Sequence, residues 1–398
     1  MVDLALSSEF IKLFGAAPTA LATSPGRVNI IGEHTDYNDG FVMPCALQFD
    51  TKILCSVRDD DLVNAYSVQY PGENEQFYIS HELVPGQLAW GNYLRGVVNE
   101  LKKAGYALKG CNILITSDVP QGSGLSSSAA LEVAFAGLLN HLSALGLSEQ
   151  DIARVGQAAE NNFIDCQCGI MDQLISAKAK YNHAMMIDCR DLTTRAVPLP
   201  SNLTLMVINS NYPRKLADSE YNQRRLACEL AAKTMQVPKL RDATMQMLDA
   251  VKDKLDDVTF RRAKHIISEN ARVVAAADAL EKNDLQNLYK IMAEAHISLK
   301  CDFEITVAAT DGLVDICNNA LRDQHSDSGN NSQPEQTHVR GVARQTGGGF
   351  GGAIVCLCEH DDVDKVISAV DTHYHANFSL NADIYVCEAS EGLHVINL

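Results

Sequence analysis

The chain has 398 residues, 46% of them hydrophobic, and is long enough for two or three domains with sizeable cores. A formal net charge of −17 and the lack of a basic tract argue against nucleic acid or an anionic membrane as a partner. An anionic substrate must therefore be held by a few local cations, by backbone N–H groups or by a metal.

Three features of the sequence predict a reducing setting away from membranes. Residues 1–4 do not form a secretory signal pattern, and no apolar run reaches the ~20 residues that span a bilayer. The twelve cysteines are scattered through apolar segments, as buried thiols are in reducing compartments. Cys166-Gln167-Cys168 lacks zinc-site spacing. We expect a cytoplasmic protein, a monomer or weak homodimer, with no nucleic-acid or membrane partner.

Hydrophobic periodicity predicts strands and helices in mixed order along the chain. The predicted strands are 41–57, 63–70, 111–116, 183–189, 203–209, 353–358 and 383–388. The predicted helices are 7–14, 90–104, 129–143, 148–164, 218–235, 258–281, 283–298 and one that opens at 361. The lack of strict alternation indicates an α+β protein. A proline-bearing loop at 198–200 predicts a division into domains 1–200 and 201–398, and the polar segment 323–337 predicts a surface loop.

The segment 118–130 lies between a predicted strand and a predicted helix, and contains two glycines and three consecutive serines. Glycine lets a ligand approach the backbone closely, and serine is a frequent helix N-cap. The free N–H groups at a helix start favour anions. The segment is therefore either a phosphate-binding loop or an ordinary Gly/Ser-rich turn, and taken alone it favours neither.

The segment 24–40 has little periodicity but a high density of functional groups. Within it, Arg27, Glu33, His34 and Asp36 lie close together in the sequence. Ionised carboxylates accept hydrogen bonds, whereas histidine can donate or accept them. The set suits the vicinal hydroxyls of a sugar, although His34 alone would more simply have a structural hydrogen bond.

Asp172 stands in an apolar stretch rich in cysteine and methionine, where simple solvation does not explain an acid. It could satisfy backbone N–H groups of a loop, or it could be a buried base or a metal ligand. Glu160 precedes it by twelve residues. A glutamate and serine hydroxyls could hold Mg²⁺, which takes few protein ligands and keeps most of its waters.

The glycine-rich segment 346–352 formally contains G-x-G-x-x-G, but it precedes a predicted strand and opens no helix. It therefore does not fit the dinucleotide-binding fingerprint. The chain also has no G-x-x-x-x-G-K-[ST] sequence, so it is not a P-loop NTPase. We expect these glycines to allow a close approach of two backbones, or of backbone and ligand.

Together these segments resemble the GHMP small-molecule kinases and, within them, the galactokinases. Residues 26–37 are similar to the galactokinase signature, and residues 120–129 and 346–352 to the second and third superfamily motifs. With 168–173 and 219–221, the resemblance spans nearly the whole chain. It implies a two-domain GHMP kinase fold, with a ribosomal-protein-S5-like N-terminal domain and a ferredoxin-like C-terminal domain. It also implies ATP-dependent phosphorylation of α-D-galactose at its anomeric hydroxyl, the first phosphorylation step of galactose catabolism.

The resemblance further implies a role for each matching position. Asp172 would be the catalytic base, and Arg27 its neighbour that stabilises the transition state. The implied sugar contacts are Glu33, His34, Thr35, Asp36, Gly169 and Tyr221. The implied ATP contacts are Gly122, Ser123, Gly124, Leu125, Ser126, Ser127 and Ser128. The implied ligands of the Mg²⁺ cofactor are Ser128 and Glu160.

The sequence departs from the family pattern at two places, neither of which we expect to touch the chemistry. Gln345 stands where methionine or leucine is commoner, and the loop 323–337 is longer than is typical of bacterial members.

Two alternative functions stay open. One is a kinase for a related sugar such as N-acetylgalactosamine, since the room around the 2-position is not readable here. The other is a non-catalytic galactose and ATP sensor, which the intact serine-rich motif and Asp172 disfavour.

Overall fold

The computed structural model describes residues 4–213, 217–322 and 339–398, so the predicted loop at 323–337 lies outside the described residues. Strands and helices are mixed along the chain, which confirms the α+β prediction. The strands are β1 (Ala20–Ile31), β2 (Phe41–Val57), β3 (Leu62–Ser67), β4 (Asn74–Tyr78), β5 (Cys111–Ser117), β6 (His183–Asp188), β7 (Thr194–Pro198), β8 (Leu203–Asn209), β9 (Gly341–Gln345), β10 (Ala353–Glu359), β11 (Asp383–Cys387) and β12 (His394–Asn397). The α-helices are α1 (Leu4–Phe14), α2 (Ala89–Lys103), α3 (Ser127–Ser143), α4 (Glu149–Ala159), α5 (Met171–Lys178), α6 (Ala217–Met235), α7 (Met245–Ala250), α8 (Asp257–Glu281), α9 (Leu285–Ser298), α10 (Ala308–Ala320) and α11 (Val363–Phe378).

The larger sheet has the strand order β12-β1-β2-β5-β3-β4, and β6 joins it by pairing with both β2 and β7. Its pairs are antiparallel except for β3 with β5. Helices α2, α3, α4 and α5 cover one face and share one apolar core with the sheet. The C-terminal strand β12 therefore returns to the edge of a sheet built mainly from the first half of the chain.

Strand β1 carries the polar segment that had shown little periodicity. Every residue from Ala20 to Ile31 is buried, so both faces of the strand are covered and no polar–apolar alternation is expected. Its register with β2 is irregular between Pro25 and Arg27 and again between Asn29 and Ile31. Such irregularities re-aim side chains. The strand was missed from the sequence because its burial comes from elements distant in the chain.

The smaller sheet is antiparallel with the order β11-β8-β10-β9. Helices α10 and α11 cover one face of it. A second apolar core contains residues of β1 and β2 together with residues of α8, α9, β8 and β10. This shared core fixes the position of the two sheets relative to each other.

Helix α4 starts at a capping box in which Ser148 and Asp151 bond reciprocally. The predicted helix 148–164 does not stay regular to its end, because a π-helical turn spans Glu160–Ile164. Such turns often occur at functional sites. Among the described residues, none of the helices is long and apolar enough to cross a membrane.

Candidate active site

A cavity of about 630 Å³ lies where the residues after β1 meet the starts of α3 and α5 and the glycines 347–349. Its lining contains all the predicted site residues except Thr35 and Ser123. The Thr35 hydroxyl lies within hydrogen-bond distance of the carbonyl oxygens of Gly32 and Phe41, at 2.9 and 2.6 Å, and the Ser123 hydroxyl donates to the carbonyl oxygen of Pro120. These two hydroxyls therefore hold the local backbone, and their roles as ligand contacts stay predictions.

Arg27 and Asp172 form a bidentate ion pair on the cavity wall. Arg27 Nε donates to Asp172 Oδ1 at 2.7 Å and Nη2 donates to Oδ2 at 2.5 Å. Arg27 Nη1 donates to the carbonyl oxygen of Gly124 at 2.7 Å. Two parallel N–H···O bonds fix the plane of a carboxylate. The pair therefore orients Asp172 and ties it to the glycine–serine segment.

Ser126 is the residue directly before helix α3, where a serine side chain could cap the helix. It has a φ of 62°, in the left-handed region, and helix α3 begins at the next residue. Its hydroxyl donates to Asp172 Oδ2 instead of capping the helix. Among the three consecutive serines, Ser126 is therefore not a side-chain cap of α3. The start of α3 lacks a side-chain cap from Ser126, and Ser127 and Ser128 line the cavity, so this helix start is available to an anion.

Glu33 forms a buried ion pair with Arg344, which reaches it from β9. The Arg344 side chain is 0% exposed, and its Nη1 also donates to the carbonyl oxygen of Ile30 at 2.7 Å. Burial raises the pKa of Glu33, while the charge of Arg344 opposes that shift. Glu269 lies 3.6 Å from Arg344 and accepts from the N–H of Gly32. The segment after β1 is thus held by the smaller sheet and by α8.

His34 has a φ of 63°, a conformation that is unfavourable for a residue with a side chain and is found at functional sites. Its Nδ1 shares a 2.8 Å hydrogen bond with the Tyr37 hydroxyl, and its Nε2 lies 3.4 Å from the carbonyl oxygen of Gly348. The Tyr221 ring is 4.9 Å from the imidazole. Burial, with the charge of His265, lowers the pKa of His34 to about 3, so the ring is neutral at pH 7.

Asp36 lies against Gly169, and both residues line the same cavity. A Cβ added at Gly169 would come within 1.9 Å of Asp36 Oδ2, so only glycine fits there. Burial, followed by the Asp172 carboxylate, raises the pKa of Asp36 to about 6. Asp36 and Asp172, which both line the cavity, therefore interact electrostatically.

Glu160 and Ser128 line the cavity and could both serve a cation. Glu160 Oε2 accepts from Gln173 Nε2 at 2.9 Å and from the Cys168 thiol at 3.0 Å. Within the part of the chain that the structure describes, there is no cluster of three or more His, Cys, Asp and Glu that could hold a metal. One carboxylate, one hydroxyl, waters and phosphate oxygens suit Mg²⁺, which rarely takes an all-protein cage. The donor set therefore fits that ion.

The glycine-rich segment precedes β10, as predicted, and turns back between β9 and β10. Gln345, one of the two departures from the family pattern, holds this turn. Its Nε2 lies within hydrogen-bond distance of the carbonyl oxygens of Thr346, Gly351 and Ala353, at 3.0, 3.2 and 3.1 Å. A methionine or leucine could not make these bonds.

A second cavity of about 320 Å³ adjoins the first and shares Tyr93, Ser127 and Ser128 with it. Its wall includes Trp90 and Tyr70, whose rings lie nearly parallel, with an interplanar angle of 6° and centroids 6.4 Å apart. Flat aromatic surfaces beside an anion site suit a ring system that carries phosphate groups.

Comparisons with known proteins agree with this geometry. Residues 8–57 match the galactokinase galactose-binding signature, and residues 92–180 match the N-terminal domain of the GHMP kinases. A galactokinase from Lactococcus lactis, solved as a complex with galactose, is 32% identical and has a TM-score of 0.89. The match covers 98% of each chain. The chain belongs to the galactokinase family.

More distant structures share the fold of this galactokinase-family chain. The mevalonate kinase of Methanococcus jannaschii is 16% identical, with a TM-score of 0.61 over 93% of this chain and 98% of its own. A homoserine kinase from Cytophaga hutchinsonii is also 16% identical, with a TM-score of 0.59 over 96% and 99%. The predicted GHMP kinase fold is thereby confirmed.

The sequence did not point to several residues that lie at or next to this site. Arg344 lies outside the motifs named in the sequence analysis, and its partner Glu33 is 311 positions away in the chain. Trp90 and Tyr70 lie in a helix and a turn without a phosphate-binding pattern. The presence of a single tryptophan in the chain was the one available signal for the second cavity.

Proposed function

We propose that the protein transfers the γ-phosphoryl group of ATP to the anomeric hydroxyl of galactose, forming galactose 1-phosphate and ADP. The observation that carries the proposal is the Arg27–Asp172 pair, which faces one cavity with Glu33, His34 and Asp36 and with the start of α3. The complex of the L. lactis relative with galactose supports galactose as the acceptor. The alternatives, a kinase for a 2-substituted sugar and a non-catalytic sensor, are not favoured by these matches.

The polar groups that line the cavity together with the Arg27–Asp172 pair would recognise the sugar. Glu33 and Asp36 offer carboxylate oxygens that accept from hydroxyl groups, and neutral His34 can accept or donate. The missing side chain at Gly169 leaves room beside Asp36. Tyr221 lines the same cavity against the His34 ring. A hexose with several hydroxyls could use all of these groups at once.

Asp172 would accept the proton of the attacking hydroxyl. Arg27 orients this carboxylate through its charge and through two donated hydrogen bonds. The Ser126 hydroxyl donates to Oδ2 of the same carboxylate. Phosphoryl transfer depends on positioning and charge neutralisation more than on covalent catalysis. The rigid setting of Asp172 is therefore the main catalytic device we assign to this chain.

The segment 122–128 and the start of α3 would hold the phosphates of ATP. Gly122 and Gly124 have positive φ values of 72° and 79°, which orient successive backbone N–H groups differently from a regular strand or helix. The helix start adds a positive dipole end. Because the chain carries a net charge of −17, these local groups and Arg27 must supply the attraction for an anion.

Ser128 and Glu160 would hold Mg²⁺ with the nucleotide. When bound, the ion would neutralise charge on the phosphate groups. Glu160 is positioned for this by the two donors on Oε2, which leave Oε1 as the oxygen for the cation. The base of ATP would enter the second cavity beside Trp90 and Tyr70, since that cavity adjoins Ser127 and Ser128.

The cellular setting and organisation are part of the same proposal. Within the described ranges no disulfide joins the cysteines, which is typical of a reducing compartment and supports a cytoplasmic location. A monomer or weak homodimer and the division into 1–200 and 201–398 stay predictions. Sedimentation at two protein concentrations would measure the first, and limited proteolysis near residue 200 the second.

A coupled assay of ADP release tests the proposed reaction. We expect turnover with galactose and MgATP, and release near the ATP-only background with glucose. N-acetylgalactosamine measures the room around the 2-position, and faster turnover with it than with galactose would contradict the assigned acceptor. No sugar-dependent ADP release, with galactose still binding, would indicate the sensor function instead.

A further inference from the structure

Two buried polar side chains lie behind Glu160, the proposed metal ligand, and take no direct part in the proposed reaction. They are Glu132 on α3 and Gln173 on α5, each 0% exposed. Gln173 Nε2 donates to Glu132 Oε2 at 3.1 Å and to Glu160 Oε2 at 2.9 Å. One amide therefore links a carboxylate of the core to a carboxylate of the cavity wall.

The surrounding backbone is shaped to accept this link. Helix α4 passes it at Gly156, where an added Cβ would lie 3.0 Å from Gln173 Cγ and 3.3 Å from Glu132 Cβ. One turn later the chain enters the π-helical turn that begins at Glu160. The missing side chain at Gly156 lets α4 approach closely, and the π turn places Glu160 within reach of the amide.

Packing alone does not account for these side chains. Within the described ranges, Glu132 Oε1 and Gln173 Oε1 find no hydrogen-bond partner. A partly satisfied polar network in a core is less favourable than an apolar one of the same volume. The bonds that are made converge on Glu160, through Gln173 and through the Cys168 thiol. The arrangement is therefore explained by its effect on the orientation of Glu160.

We propose that Gln173, anchored by Glu132, is a positioning residue that sets the orientation of Glu160 and thereby the affinity for Mg²⁺ bound with ATP. The inference rests on the proposed function, which assigns Glu160 to the cation. Gln173 follows the proposed base Asp172 directly on α5. Asp172 faces the cavity and Gln173 the core, so one short helix aligns the base with the metal ligand.

The test measures metal affinity without turnover. Mn²⁺ is titrated into the full chain with a non-hydrolysable ATP analogue, and free Mn²⁺ is followed by electron paramagnetic resonance. Gln173→Met keeps the side-chain length but removes the donor. We expect the Mn²⁺ dissociation constant to rise by about tenfold or more, the size typical for loss of a group that orients a metal ligand. The galactose dissociation constant, measured separately, should stay the same.

Matched variants separate positioning from general damage to the core. Glu132→Met removes the anchor and should weaken Mn²⁺ binding as Gln173→Met does. Glu132→Gln keeps an acceptor oxygen and should restore most of the affinity. Ser176→Ala, on the same helix and equally buried, should have no effect on Mn²⁺ binding. If Gln173→Met does not fold, Gln173→Asn decides, because it keeps the amide but shortens its reach.

Unchanged Mn²⁺ affinity in a folded Gln173 variant would overturn this inference while leaving the proposed function standing, provided that the unmodified chain phosphorylates galactose. If the unmodified chain bound no Mn²⁺ with the nucleotide analogue, both the inference and the proposed metal site would be overturned.

Discussion

Two arginine–carboxylate pairs with the same chemistry differ in their burial. The side chains of Arg27 and Asp172 are 7% and 30% exposed, whereas those of Arg344 and Glu33 are 0% and 1% exposed. The first pair lies on the cavity wall with a carboxylate edge open to a ligand. The second is closed in, and it joins the smaller sheet to the segment after β1.

The difference in exposure indicates a difference in role. A carboxylate that takes a proton from a substrate must be reached by that substrate. A fully enclosed pair cannot be reached at its guanidinium, but it can fix neighbouring groups, at the cost of strong dependence on both partners. We therefore assign chemistry to Asp172 and the shape of the sugar pocket to Arg344. Loss of Asp172 should affect rate alone, and loss of Arg344 should affect stability first.

The largest effect is expected for Asp172→Asn. The amide keeps the shape of the carboxylate but cannot act as the base, so kcat should fall by roughly a thousandfold. The dissociation constant of ATP and the melting temperature should stay near those of the unmodified protein. Single-turnover kinetics together with nucleotide binding measure both. Turnover close to the unmodified rate would remove Asp172 from its role as base.

Arg344→Met should lower the free energy of unfolding by about 3–5 kcal/mol, the usual effect of breaking a buried ion pair from one side. The reason is that Glu33 would be left buried without its guanidinium partner. Urea unfolding measures the change. Arg195→Met is the matched control, because that arginine pairs with Asp278 and Glu281 on the surface and should contribute about 1 kcal/mol or less. Equal losses in the two variants would contradict the comparison.

Gly169→Ala sharpens the comparison from the sugar side. The added methyl group would collide with Asp36 Oδ2 and displace a proposed sugar contact by about 1 Å, so kcat/KM for galactose should fall about a hundredfold. ATP affinity should not change. Gly146→Ala, at a position with a positive φ and open space around it, is the control for a backbone effect. A Gly169→Ala variant with normal galactose affinity would place the sugar elsewhere.

The smallest effect concerns pH. The pKa of Asp36 is raised to about 6, so its ionised fraction falls as the pH falls through 6. Galactose hydroxyls would donate to the ionised form, so the galactose dissociation constant should rise by up to about tenfold per pH unit below 6. Calorimetric titration from pH 5 to 8 measures the profile. Asp36→Asn should bind more weakly throughout and lose this dependence.

The raised pKa of Asp36 also makes the free energy of unfolding depend on pH. The native state holds the Asp36 proton more tightly than the unfolded chain, so its contribution is favourable at low pH and is lost as the pH rises through 6. Asp36→Asn should therefore gain stability relative to the unmodified chain between pH 4 and pH 8. An unchanged difference in stability over that interval would show that Asp36 titrates normally.

The sequence predicted much of the site because its main groups lie in contiguous motifs. Residues 26–37 and 120–129 each bring several cavity-lining groups together in a short stretch, so a local pattern was enough. Arg344 and Gln173 could not be assigned in this way. Their roles depend on partners from other elements, Glu33 in one case and Glu132 and Glu160 in the other.

Contacts between elements distant in the chain also explain errors in the predicted secondary structure. Strands β2 and β8 were predicted with their observed bounds, since continuous apolar runs signal them locally. Strand β1 was missed because its polar residues are buried by α3, α5 and the smaller sheet. Helix α5 is only eight residues long and carries Asp172 in its first turn, so periodicity was too short to detect it. The bond from the Ser126 hydroxyl to Asp172 was not readable from the local Gly/Ser pattern, because the two residues are 46 positions apart.

The position of the phosphate on the sugar product is the most direct test of phosphorylation at the anomeric hydroxyl of galactose. The unmodified protein is incubated with galactose and MgATP, and the product is examined by phosphorus-detected NMR with coupling to the sugar protons. We expect one sugar phosphate whose phosphorus couples to the proton on C1, because Asp172 serves the anomeric hydroxyl. Coupling to the two protons on C6, or the absence of any sugar phosphate, would contradict it.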